Sequence, residues 1–253
     1  MILILAIFVA AQTTFEPIPG LPGKDVVWIP TPHAAVEKML DMAEVTPQDF
    51  VMDLGSGDGR SVIAAAKRGA RALGVEYNPN LVELSRKLAS VSGVADLARF
   101  VQGDMYEADI SKATVLVLFL KPENLDKMRD KFLAMKPGTR IVMNTFSPTD
   151  WEPDRIETVD PACTVWCTAL LVIVPARVAG TWRTSEIQMN LTQDFQFVRG
   201  TLGAQTVTGQ LRGDRITLKA GDTEYTGAVA GDRIEGEATT RETRTQWIAT
   251  RSR

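Results

Sequence analysis

The spacing of apolar positions changes several times along the chain, and each change marks a different kind of element. Residues 2–11 form an uninterrupted apolar run. It is too short to span a bilayer as a helix and has the length of a signal-peptide core, with Val9 and Ala11 as the small residues before a cut at Gln12. The first cation is Lys24, so no basic residue precedes the run, which counts against a signal peptide; its length and small residues favour export, with an uncleaved apolar tail, or a misassigned start and a cytoplasmic protein, as the alternatives. Residues 12–30 carry Pro17, Pro19, Pro22 and Pro30 with Gly20 and Gly23 and read as an irregular linker. From Thr31-Pro32, Val36, Met39, Leu40 and Ala43 recur at helical spacing.

Short apolar runs then alternate with helical patterns. Strands are predicted at 50–54, 71–76, 98–105, 113–120 and 139–146, with helices at 61–68, 78–90 and from Pro122. A run apolar at every position, such as Ala113 onward (ATVLVLFL), belongs in a parallel sheet covered on both faces. No long helix fits between Ser147 and Asp154, and 155–159 and 164–174 read as an antiparallel pair completing the sheet. From about Val178 the period becomes two. Residues 208–216 recur loosely at 226–234, an offset of 18, each copy holding a Gly-Asp hairpin turn. About eight short strands between Gly180 and Arg251 predict a small antiparallel barrel or sandwich. The expected organisation is a signal-like segment and linker at 1–25, an α/β domain at 26–177 and an all-β domain at 178–253.

The chemistry concentrates at Asp53-Leu54-Gly55-Ser56-Gly57-Asp58-Gly59-Arg60, between the first strand and its helix. Strand, glycine turn and helix make half of a βαβ unit, and ligands bind beyond the carboxyl ends of such strands. The dinucleotide fingerprint is G-x-G-x-x-G; here the order is D-x-G-x-G-x-G. Asp53 and Asp58 would repel a pyrophosphate and favour a cation. The second strand ends in Glu76, 23 positions after Asp53, where an acid can hold a ribose diol through two hydroxyl hydrogen bonds. The third ends in Gly103-Asp104. Acids at three successive strand ends are not a chance arrangement.

This pattern resembles motif I of the class I S-adenosylmethionine-dependent methyltransferases, whose cofactor carries a sulfonium and an ammonium. The resemblance implies a Rossmann-like seven-stranded sheet. It also implies a cofactor site made by Thr31, Asp53, Gly55, Ser56, Gly57, Asp58, Gly59, Glu76, Tyr77, Asn78, Asp104 and Met105, with Asp104 taking the adenine amino group. Trp28-Ile29-Pro30-Thr31-Pro32, and Phe146 followed by Trp151-Glu152-Pro153, narrow the likeness. They resemble the small seven-strand lysine methyltransferases of archaea and the mitochondrial enzyme that methylates the ATP synthase c-subunit. The likeness covers roughly residues 26–175; the C-terminal strands lie outside it, and 144–148 match it only loosely. It implies a protein lysine as acceptor, with Phe119, Phe146 and Trp151 as walls for the ammonium and Asn144 as a polar contact. No general base can be named. A small-molecule N- or O-methyltransferase, or a non-catalytic scaffold whose β domain binds a partner, fits the same residues.

Composition narrows the field further. A net charge of −3, with no basic stripe interleaved with aromatics, gives no electrostatic footprint for nucleic acid. His33 is the single histidine, so histidine metal clusters are excluded, a histidine-dependent triad is not expected, and no metal is expected. His33 falls in the first turn of the first helix and reads as solvated or capping. Cys163 and Cys167 would lie about 13 Å apart on one extended strand, too far to bridge; a disulfide would require a tight turn between them, and buried free thiols are expected. Export and a cofactor made in the cytosol pull in opposite directions.

Overall fold

The computed structural model describes residues 15–160, 162–185 and 187–252; the signal-like run lies outside them. The first body comprises α1 (His33–Met42), β1 (Phe50–Leu54), α2 (Arg60–Lys67), β2 (Arg71–Glu76), α3 (Pro79–Val91), β3 (Ala98–Gln102), β4 (Val115–Leu118), α4 (Pro122–Leu133), β5 (Arg140–Asn144), β6 (Arg155–Thr158) and β7 (Thr168–Ile173). Its strands form one seven-stranded sheet in the order β3-β2-β1-β4-β5-β7-β6. β1 to β5 run parallel, and β7 is antiparallel to both β5 and β6. β1 pairs with β2 on one side and β4 on the other, so the strand order reverses there and leaves a crevice at the carboxyl ends.

Alternation along the strands divides the core in two. Val51, Val115, Val117 and Val142 pack with Val36 and Leu40 of α1, Val62 and Ala65 of α2, and Val82 of α3. Met52, Leu54, Leu116, Leu118, Ile141 and Met143 point the other way, onto Leu125, Met128 and Phe132 of α4. The predicted strands are all present; β1 and β2 have the expected bounds, and the others are shorter at their ends than the apolar runs that announced them.

The second body is a closed antiparallel barrel of β8 (Gly180–Arg183), β9 (Gln188–Asp194), β10 (Phe197–Leu202), β11 (Gln205–Arg212), β12 (Arg215–Ala220), β13 (Thr223–Ala230), β14 (Arg233–Thr239) and β15 (Arg244–Arg251). Both Gly-Asp turns are two-residue hairpins, with Gly213 at φ 63° and Gly231 at φ 60°. Trp182, Val198, Leu211, Ile216 and Ile234 fill the interior, which Ala176 and Val178 join from the connecting segment.

The two bodies meet where no helix covers the sheet. Trp151 is fully buried and stacks on Phe195, with centroids 5.2 Å apart and planes 12° from parallel. Beside it, Gln196 Nε2 donates to the Glu152 carbonyl at 2.7 Å. Gly213 is also buried: its carbonyl accepts from Ala176 N at 2.8 Å, and a β-carbon there would stand 2.9 Å from Gly138 Cα. This hairpin turn is therefore part of the junction.

The cysteines require a correction. Cys163 and Cys167 form a disulfide, with α-carbons 5.6 Å apart. The long separation held only for an extended strand beginning at 164. β7 instead starts at Thr168, and Trp166, at φ 59°, turns the chain back on itself.

Trp151 is also placed differently from expectation. It lies in the core beneath the barrel and does not line the cleft described below. Trp151→Ala should therefore cost stability, by about 3–5 kcal/mol for an emptied aromatic site. Urea unfolding of the variant measures this. A stable variant whose defect is confined to turnover would place the ring back on the acceptor side.

Candidate active site

The cleft opens at the carboxyl ends of β1, β2 and β3. Its cavity is about 310 Å³ and is lined by Gly55, Val75, Glu76, Tyr77, Asn78, Leu81, Asp104 and Met105 at one end and by Phe119, Leu120, Phe146 and Trp166 toward the other. Residues 21–29 form another wall, folded back through the bridge between Leu21 and Trp28. A smaller gap of about 30 Å³ adjoins Asp53, Ser56, Gly57, Asp58 and Ser61 and shares Trp28, Ile29, Gly55 and Phe119 with the main cavity.

Glu76 holds the glycine turn in shape. One carboxylate oxygen accepts from Gly57 N at 2.9 Å and the other from Asn78 N at 2.8 Å. Asn78 in turn caps α3, its Oδ1 accepting from Asn80 N at 2.9 Å. Gly57 (φ 54°) leaves no room for a side chain, since a β-carbon would stand 2.4 Å from Trp28 Nε1. Gly59 begins α2 at φ 79° with Phe100 Cε1 2.5 Å from where its β-carbon would be. Both positions demand glycine for conformation and for space.

The acids of the turn have different fates. Asp58 is engaged by Arg60, through Nε at 2.9 Å and Nη2 at 2.6 Å, and Arg60 Nη1 also donates to the Thr31 carbonyl at 2.7 Å. This side chain ties the buried Thr31 and the entry to α1 onto the motif. Asp53 has no such cation among the described residues. Burial pushes its pKa up from an ordinary 3.8 to about 7; the Ser61 hydroxyl opposes the rise, while the charges of Glu76 and Asp58 add to it. Asp104 is held below the usual carboxylate range by its hydrogen bond to Lys24 and by the Tyr106 amide, against a smaller opposing effect of burial.

Met105 is buried and Tyr77 half exposed on the same cleft wall. Phe119 and Phe146 are joined by Trp166, which meets Phe119 at 5.3 Å and Phe146 at 5.7 Å, edge-on to both. Asn144 is buried at the end of β5. Its Oδ1 accepts from Thr145 Oγ1 at 3.0 Å, and it is not among the lining residues. His33 is exposed at the start of α1. No group of three or more potential metal ligands occurs among the described residues. Arg60's tie to Thr31, Lys24's pairing with Asp104, and Trp166 are the features that sequence pattern did not announce. A non-glycine φ above zero and a loop-closing disulfide are visible only in three dimensions.

Known proteins share this architecture. The ANTKMT methyltransferase domain family matches residues 53–155. A protein-lysine N-methyltransferase from Saccharolobus islandicus is 38% identical over 138 residues, which are 53% of this chain and 86% of the relative. The chain belongs to this methyltransferase family. The ATP synthase c-subunit lysine N-methyltransferase of Rattus norvegicus is 34% identical over 159 residues, or 62% of the methyltransferase and 73% of the relative. A solved RNA methyltransferase from Salinibacter ruber, in complex with S-adenosyl-L-homocysteine, is 43% identical with a TM-score of 0.55, and the match covers 59% of this methyltransferase and 96% of that chain. The barrel lies outside residues 53–155, which the family matches.

The methyltransferase uses S-adenosyl-L-methionine, and the cleft fits it on its own chemistry. Glu76 and Asp104 are acceptors for hydroxyl and amino donors, and Val75, Leu81, Met105 and Leu120 offer apolar walls to a purine. Asp53 is a buried acid without a cation among the described residues. Ser56 Oγ, beside it, is buried with no hydrogen-bond partner among the described residues.

Asp53 carries a measurable consequence. Unfolded, it loses its proton near 4; folded, it keeps it to about 7. Between those values the folded state binds more protons, so stability falls as pH rises. Asp53→Asn should therefore match the wild type at pH 4 and exceed it at pH 8 in the absence of cofactor, by up to roughly 4 kcal/mol at about 1.4 kcal/mol per pH unit. Thermal melts at the two pH values decide it. An equal difference at both would mean that the carboxyl titrates normally.

Proposed function

We propose that this methyltransferase transfers its methyl group to the Nε of a protein lysine. In this reading Glu76 receives the ribose hydroxyls, Asp104 the adenine amino group and Asp53 the positive charge of the methionine end. The glycine turn brings backbone close enough for the cofactor to lie against it. The cofactor supplies an electrophilic methyl group on a sulfonium; the chain supplies orientation and apolar walls.

The observation that carries the lysine reading is the aromatic end of the cleft, formed by Phe119, Phe146 and Trp166. Aromatic faces hold an ammonium without hydrogen-bonding away the lone pair it must later expose. Lys121 and Glu123 also line the cleft, 3.9 Å from each other and largely exposed; in this reading neither acts as a base and the lysine proton is lost to solvent. The names of the archaeal and rat relatives agree with this reading. The name of the Salinibacter ruber relative points to RNA instead. An RNA acceptor needs cations to neutralise phosphates, whereas the cleft lining carries Lys24 and Lys121 against Asp25, Glu76, Asp104 and Glu123.

The disulfide adds a proposal about location. Such bonds persist in oxidising compartments, and together with the apolar run at 2–11 the Cys163–Cys167 bond supports export.

Glu76→Ala should weaken S-adenosylmethionine binding roughly 10- to 150-fold, the equivalent of a hydrogen-bonded charged acceptor worth about 1.5–3 kcal/mol. Calorimetry that finds affinity unchanged removes Glu76 from the cofactor site.

Tritium transfer from labelled cofactor to lysate protein, followed by amino-acid analysis, should place the label in methylated lysine. A lysine of pKa about 10.4 is neutral in roughly one copy in 2,500 at pH 7, so at saturating cofactor the rate should rise about tenfold per pH unit from 7 to 9. Label found only in RNA, in small molecules, or on carboxylates or hydroxyls contradicts the lysine assignment and leaves the cofactor assignment standing.

A further inference from the structure

Residues 163–167 form a short loop at the foot of β7. Its ends are fixed by backbone: Cys163 N donates to the Asp160 carbonyl at 3.0 Å at one end, and at the other Val159 N donates to the Cys167 carbonyl at 2.8 Å and Thr145 N to the Thr168 carbonyl at 2.7 Å. Between the ends, the disulfide holds the α-carbons of Cys163 and Cys167 at 5.6 Å, less than half their separation on an extended strand at about 3.3 Å per residue. Trp166 sits inside this ring of bonds at φ 59°, a left-handed conformation that is unfavourable for a non-glycine residue and persists only where its surroundings impose it. Its indole projects from the loop onto Phe119 and Phe146 and lines the cleft. Neighbouring Val165 faces solvent, so the loop stands at the mouth of the cleft.

We propose that the Cys163–Cys167 disulfide is a positioning device for Trp166, and that opening it removes one aromatic wall from the acceptor end of the cleft while leaving the cofactor end intact. The inference rests on the reading that the acceptor enters beside Phe119 and Phe146. Both cysteines are partly exposed, so a dithiol can reach the bond. The exchange balances: the dithiol supplies two electrons and two protons, Cys163 and Cys167 become thiols, and the reductant leaves as its own disulfide. The chain from 163 to 167 is then free to leave the left-handed turn. The cofactor contacts of Glu76, Asp104 and Asp53 lie on β1, β2 and β3 and the segments just after them, none of which the loop supports. The structure thus separates a thiol-sensitive acceptor wall from a thiol-insensitive cofactor site.

The test compares the full-length protein before and after dithiothreitol with Cys163→Ser/Cys167→Ser, Trp166→Ala and Trp166→Phe. Two quantities are read: cofactor affinity by calorimetry, and the lysate protein concentration that half-saturates transfer of labelled methyl. Reduction, the double serine variant and Trp166→Ala should each raise the half-saturating concentration roughly 2- to 30-fold, the range of a cation–aromatic contact of about 0.5–2 kcal/mol. Cofactor affinity should stay within about twofold, a margin set by a few tenths of a kcal/mol, and Trp166→Phe should restore most of the loss. The double serine variant and Trp166→Ala should not respond further to dithiothreitol, which separates an effect through Trp166 from reduction of the acceptors. Reduction should also change tryptophan emission in the wild type and not in Trp166→Phe. If emission and half-saturation ignore reduction while mass spectrometry shows two free thiols, or if Trp166→Ala still responds, the device does not exist. If the label proves to sit on something other than lysine but keeps this redox dependence, the lysine reading fails and the positioning role stands.

Discussion

One carboxylate sets the geometry on which the cofactor cleft depends. Glu76 closes β2 and accepts from two backbone amides, Gly57 in the glycine turn and Asn78 at the start of α3. Those amides belong to adjacent βα units, so this single side chain fixes the separation of the two loops that flank the cleft. The bonds are charge-assisted, and each oxygen keeps lone-pair capacity for a further donor. Glycine at 57 is then required twice, by φ and by Trp28 lying against it. The strap of residues 21–29 that carries Trp28 also delivers Lys24 to Asp104, so the same constraint reaches from the sheet to the cover of the cleft.

The other end of the cleft is built by different means. No helix follows β5 among the described residues, and the sheet face there is covered by Trp151 packed beneath the barrel turn at Phe195 and Gln196. The barrel takes a place that a helix could have taken. The chain beyond this point returns through the disulfide loop, which presents Trp166 to Phe119 and Phe146. The cofactor side thus rests on backbone and carboxylates in regular strands, whereas the acceptor side rests on loops held by a covalent bond and aromatic packing.

That contrast explains what could be read from sequence. β1, β2, the glycine turn, the acids at 53, 76 and 104, and the two Gly-Asp hairpins depend on local period and local conformation, and they stand where pattern put them. Residues whose role is tertiary did not announce themselves. Trp151 sits in an acceptor-like context but is drawn into the core by Phe195, a residue of the other body that no local pattern connects to it. Asp58 reads as a charge waiting for a cation until Arg60, two residues on, is seen to take it. The cysteines read as unbridgeable because an apolar run at 164–174 looks like continuous strand; only the turn at Trp166 brings them together. Gly213 and Gly231 are interchangeable in sequence, yet a β-carbon at the first would press on Gly138 and one at the second would meet nothing within 4 Å.

The most direct test of the claim that Glu76 organises a cofactor cleft is a crystal structure of the full chain with S-adenosyl-L-homocysteine. The account predicts the ribose hydroxyls on Glu76 with the Gly57 and Asn78 amides still donating to the same carboxylate, the purine against Met105, and the sulfur end pointing toward Phe119, Phe146 and Trp166. A nucleoside bound elsewhere, or one that leaves the Glu76 carboxylate untouched, would contradict it.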